Sequence, residues 1–204
     1  MLILRKINIM ARKLLGDGGK FMAKAKKLKT KDISYIGAFI AVMVVCSWAG
    51  SVPMPVPITL QTMGVFLSVG VLGGKRGSLA VLGYILLGAF GLPVFSGFSG
   101  GVGKLLGVTG GYILGFLASA LVMWGLERAF GKGDKVLIIS MILGLLACYA
   151  MGTAWFSLVY TKTKGAIAIG SILSMCVFPF VIPDLVKIGL AFFLSKKLRK
   201  HINI

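Results

Sequence analysis

The chain has 204 residues, 57% of them hydrophobic and 14% charged, and a formal net charge of +18. A soluble domain keeps roughly a quarter of its residues charged to wet its surface, so most of this surface must face something other than water. The excess of Lys and Arg does not point to nucleic acid: these residues collect at the termini and in short gaps between apolar runs, which is the pattern of membrane flanks facing anionic lipid.

Residues 1–32 read as a basic cytoplasmic extension. They hold no apolar stretch of the roughly 7–15 residues that a secretory signal needs, and Met10 and Met22 stand as alternative starts. A helix needs about 20 apolar residues to cross the hydrocarbon core, and six such runs are expected. The first covers Ile33–Gly50 and ends at Pro53, Pro55 and Pro57, which forbid a regular helix. The second runs from Ile58 to the Gly73-Gly74-Lys75-Arg76-Gly77 break, and the third from Ser78 to Leu92. After the glycine-rich stretch Gly91–Gly111, the fourth covers Gly111–Leu126 and the fifth Val136–Tyr160. Gly165–Leu194 is too long for one untilted span. Pro179 and Pro183 divide it into a short segment, 166–179, and a sixth span starting with Pro183 at the first helical position. The reading is therefore all-α: a polytopic membrane protein with six transmembrane helices over residues 33–198 and a basic tail at 199–204.

Orientation follows from counting Lys and Arg in the short loops. With the N-terminus inside, the inner segments carry 19 of these residues and the outer ones only Lys104, Lys162 and Lys164; Lys187 falls within a span. Both ends are expected in the cytoplasm, in a multi-pass protein of the plasma membrane.

Little catalytic chemistry can be assembled. Cys46, Cys148 and Cys176 lie in apolar stretches without metal-ligand spacing and read as small buried apolar residues. His201, the only histidine, sits among Lys and Arg at the tail. No metal site or cofactor is expected. Gly103-Lys104 and Gly19-Lys20 resemble the end of a phosphate-binding loop but lack its earlier glycine and its Ser or Thr. If ATP drives a process here, another subunit must supply it.

Of the five acidic residues, Asp184 alone lies within the opening turns of an apolar span. Lys187 follows three residues on, so the two share a helix face. Ionisable groups in a span need a partner or a purpose: either the two form a structural ion pair, or they form a polar site for a ligand arriving from outside. The outer loops, Pro55–Thr62 (with Gln61) and Phe95–Gly101 (with Ser99 and Gly100), fall on the same side. Trp155 and Tyr149 near the outer part of span five, and Tyr84 in span three, are either interfacial and packing aromatics or ligand contacts. Gly37 and Ala41 form a small-xxx-small pair suited to close helix packing.

Together, PVPITLQT, GLPVFSGFSGG, GVTGGY and PDLVK, in that order, make residues 30–198 closely resemble the biotin-specific substrate-binding subunits (BioY family) of energy-coupling-factor (ECF) transporters. The resemblance implies a six-helix protein that captures biotin at its outer face. It also implies docking on a membrane coupling subunit (EcfT-like) energised by two ATPase subunits (EcfA-like). It places the family's biotin-binding aspartate and lysine at Asp184 and Lys187. Ser99 takes the place of a small polar loop residue, and Gly37 and Ala41 that of the alanine-xxx-alanine docking motif. The biotin carboxylate would pair with Lys187 and its ureido N–H groups with Asp184, while the thioether ring would pack on residues such as Trp155; with the opposite assignment, Asp184 holds Lys187 in place. The alternatives are a subunit for another vitamin, riboflavin or thiamine, and a membrane-embedded enzyme. The enzyme would need a nucleophile with a base, or paired carboxylates, and neither is present in the spans.

Overall fold

The computed structural model describes residues 29–49, 58–165 and 168–201, and every regular element named there is a helix. The prolines at 53–57, the alternative starts and most of the basic extension lie outside the described residues. The helices are α1 (Thr30–Trp48), α2 (Gln61–Leu72), α3 (Gly74–Ala89), α4 (Val102–Leu106), α5 (Gly110–Phe130), α6 (Asp134–Lys164), α7 (Ile169–Cys176) and α8 (Phe178–Arg199). Among the described residues, four stretches are long and apolar enough to cross a membrane: α1, α5, α6 and the broken segment Ile169–Arg199.

The centre of the bundle is α2, which packs against α1, α3, α5, α6 and α8. Ten of its twelve residues are buried. At 1.5 Å per residue it is only about 18 Å long, shorter than the hydrocarbon core. Its first residue, Gln61, therefore starts inside the bundle and not at a membrane surface.

Expected loops turn out to be helix in three places. The Gly73–Gly77 break is a single residue: Gly73 adopts φ +79, and α3 starts at Gly74 with Lys75 and Arg76 already helical. Two glycines allow so tight a reversal, since Gly73 takes the left-handed φ and Gly77 lies directly on the Val69 backbone. Gly77→Ala would place a methyl against that backbone and 2.9 Å from the Ser68 carbonyl oxygen. With no flexible side chain to yield, the variant is expected to lose roughly 1–3 kcal/mol, measurable as a lower melting temperature in detergent. The fourth span, expected to end at Leu126, runs on through Glu127 and Arg128 as α5 continues to Phe130. Pro183 does not begin the last helix. The break falls at Val177 (φ −125, ψ −58), Pro179 occupies the first turn of α8, and Pro183 lies inside it. The carbonyl of Cys176 at that break accepts a 3.3 Å hydrogen bond from the Tyr112 hydroxyl, so the interruption leaves that polar group satisfied within the bundle.

The two ends of the bundle differ. At one end, Arg76 pairs with Asp32 (3.0 Å), Lys132 with Glu127 (3.6 Å) and Lys196 with Asp134 (2.7 Å). Glu127 also accepts the Gly74 N–H at 2.6 Å. These contacts gather the start of α1, the α2–α3 reversal, the α5–α6 turn and the end of α8. The other end is built from the glycine-rich stretch. Phe95 and Ser99 form an isolated bridge, Phe98 takes φ +53, and α4 follows.

Candidate functional site

Just beneath the glycine-rich end, a cavity of about 570 Å³, partly open to solvent, lies between the N-terminal turns of α2 and α8, α5 and α6. Its polar wall holds Gln61, Thr62, Tyr149, Asp184 and Lys187, with Thr59 and Ser96 at the loops. Ile113, Phe116 and Phe180, with Cys148 and Cys176, line the apolar remainder.

Lys187 and Asp184 are 5% and 2% exposed, and burial at that level demands compensation. The Lys187 ammonium donates to Asp184 Oδ1 at 2.8 Å. Thr62 Oγ1 donates to the same oxygen at 2.9 Å, and the Tyr149 hydroxyl donates to Oδ2 at 2.6 Å. Three donors from three helices thus hold the carboxylate, and Lys187 keeps two ammonium hydrogens for whatever fills the cavity. Tyr149→Phe deletes one bond to a buried carboxylate and is expected to cost about 1.5–3 kcal/mol, seen as a lower melting temperature together with weaker ligand binding.

A second network fixes Gln61. Its amide oxygen accepts from Thr59 Oγ1 at 2.9 Å, and its Nε2 donates to the Tyr84 hydroxyl at 2.7 Å. Tyr84 in turn donates to the Val94 carbonyl (3.0 Å), which also accepts from Ser47 (2.6 Å). One hydrogen of the Gln61 amide is left uncommitted at the cavity.

Of the residues singled out from sequence, Asp184, Lys187, Gln61 and Tyr149 line the cavity. Tyr84 is fully buried behind Gln61. Trp155 lies outside the lining; its Nε1 donates to the Gly107 carbonyl at 3.0 Å, and its side chain packs on Gly111. Ser99 donates to the Ser96 carbonyl at 2.7 Å, and it is Ser96 that reaches the cavity. Gly100 permits a close approach, but to the Leu92 backbone of the same loop. Gly37 and Ala41 are exposed on α1, and a Cβ on Gly37 would meet nothing within 4 Å. Thr62, named only as the end of the outer loop, was not singled out as a site residue because its partner lies 122 residues away. Tyr112 enters the sequence reading only as part of the GVTGGY motif, and Phe180 falls between the two expected segments of the last region; both line the cavity.

These features define a class: an all-helical membrane protein with one buried ion pair facing a small-molecule cavity. A sequence profile of the BioY family matches residues 22–204, and the chain belongs to that family. A similar solved structure is the S-component for biotin from an ECF-type ABC transporter. It is 26% identical, with a TM-score of 0.75 over 87% of this chain and 95% of that one. No curated protein sequence matches.

Proposed function

We propose that the chain is the biotin-binding S component of an ECF-type vitamin importer. It captures biotin at the extracellular face and delivers it by docking on an ATP-driven module made of a coupling subunit and two ATPase subunits. The observation that carries this reading is the buried Asp184–Lys187 pair facing the cavity, in a chain of this family.

The valerate carboxylate pairs with Lys187, while Asp184, already holding three donors, fixes the ammonium in place. The uncommitted Gln61 amide hydrogen serves the ureido group, and Phe116, Phe180 and Ile113 enclose the thioether ring. Gly37 and Ala41 present a side-chain-poor strip for the coupling subunit. The protein crosses the plasma membrane six times, by α1, α2, α3, α5, α6 and α7–α8, with both ends in the cytoplasm. The ion pairs supporting this orientation join the basic segments at one end, opposite the cavity.

Calorimetry in detergent tests the reading directly. Biotin is expected to bind, and riboflavin and thiamine are not. A folded sample that ignores biotin would sink the assignment; one that takes riboflavin or thiamine instead would move it to another vitamin.

A further inference from the structure

The polarity of the Gln61 side chain is set from outside the cavity. A glutamine amide can sit with its oxygen and nitrogen exchanged, and its hydrogen-bond partners decide between the two orientations. Thr59 does not decide, because a hydroxyl can donate or accept. Tyr84 does. Its single hydroxyl hydrogen goes to the Val94 carbonyl at 3.0 Å, and a carbonyl can only accept. Toward Gln61, 2.7 Å away, the Tyr84 oxygen is therefore an acceptor and must face Nε2. The exchanged amide would set two acceptors against each other between residues that are 6% and 0% exposed, where water does not replace a lost hydrogen bond. With Oε1 on Thr59 and one Nε2 hydrogen on Tyr84, the second Nε2 hydrogen is a donor in the place where the exchanged amide would put an oxygen.

We propose that Tyr84 is a positioning residue for specificity: by fixing the polarity of Gln61, it makes the site select a neutral carbonyl over a cationic group on the ring of the ligand. The proposal rests on biotin being that ligand. Its ureido oxygen accepts the Nε2 hydrogen, whereas the same ring carrying a guanidinium, which has donors only, sets a donor against a donor. Val94 belongs to the glycine-rich stretch, so loop backbone fixes the amide of a residue on α2 through a tyrosine on α3. This control is separable from folding. In Tyr84→Phe the Val94 carbonyl retains the Ser47 hydroxyl at 2.6 Å. The ring also keeps its edge-to-face contact with Phe95, centroids 5.5 Å apart, but the Gln61 amide becomes free to flip.

The test is calorimetry on the purified full chain in detergent, with wild type, Tyr84→Phe and Gln61→Met. The ligands are biotin, 2-iminobiotin, whose ring carries the guanidinium, and biotinamide. Wild type should prefer biotin strongly to 2-iminobiotin. In Tyr84→Phe that preference should narrow roughly tenfold, the effect of one hydrogen bond to a charged group gained when the amide flips. Desolvating the guanidinium costs the same in both proteins, so the change in the ratio reads the amide. The preference for biotin over biotinamide, set at Lys187, should hold in Tyr84→Phe; a merely structural loosening would lower both preferences together. Gln61→Met removes the donor without touching Tyr84 and should narrow the 2-iminobiotin ratio in the same direction, and it carries the test if Tyr84→Phe does not fold. A wild-type ratio in either variant, or two preferences that fall together in Tyr84→Phe, would overturn the role of Tyr84 and leave biotin as the ligand. A folded wild-type chain that ignores biotin would instead sink the function on which that role rests.

Discussion

Lys187→Met is expected to abolish biotin capture at physiological ligand concentrations. Truncating one member of a buried, hydrogen-bonded charge pair at a binding site costs about 2–5 kcal/mol. At about 1.4 kcal/mol per decade, that weakens binding by roughly 30-fold to several thousand-fold. Part of the loss comes from leaving Asp184 buried without its cation, so a fall in affinity alone does not identify what Lys187 touches. Comparing biotin with biotinamide, which lacks the carboxylate charge, isolates the contact. Wild type should prefer biotin strongly, whereas Lys187→Met should bind both acid and amide weakly and nearly equally. If the variant kept the wild-type preference, Lys187 would not be the carboxylate's partner and its role would be confined to Asp184. Lys187→Arg keeps the charge but offers a longer, planar donor to a site shaped around an ammonium, so partial retention is expected. Calorimetry with both ligands on all three proteins decides the matter.

Much of the bundle was legible because a membrane imposes long apolar runs that need no knowledge of neighbours. Ile33–Gly50 and Val136–Tyr160 were located in this way, and α1 and α6 correspond to them. The misjudged boundaries share a physical cause. Gly74–Gly77, Arg128 and Pro183 carry local signals for a break, but a packed bundle overrides such signals. A tight helix reversal needed only one positive φ, Arg128 at the end of the hydrophobic run did not stop α5, and Pro183 could stay helical because the true break lay at Val177. The ion pair was readable because Asp184 and Lys187 sit three residues apart on one helix. Their support was not, since Thr62 and Tyr149 come from α2 and α6 and meet Asp184 only in three dimensions. The glycine-rich loop misled in the same sense: Ser99 and Gly100 shape the turn, while Ser96 reaches the cavity.

Asp184→Leu should unfold the protein more readily than any other single change at the site. It strands the Lys187 ammonium at 5% exposure, and removing one partner of a buried pair costs about 3–5 kcal/mol. It also deprives the Thr62 and Tyr149 hydroxyls of their acceptor. The double variant Asp184→Leu/Lys187→Met is the informative comparison, since apolar groups of similar size in place of a whole buried pair are often neutral or stabilising. Its melting temperature in detergent should recover most of what Asp184→Leu lost, while biotin binding stays as weak as in Lys187→Met. That outcome would separate the two roles, because a pair retained only to hold α8 in register would become dispensable once neutralised. A double variant that regained both stability and biotin binding would show the pair to be structural, with recognition resting on Gln61 and the aromatic walls. One that regained neither would mean that Thr62 and Tyr149 need the carboxylate to close the cavity, which would make Asp184 the organising group of the site and Lys187 its dependant.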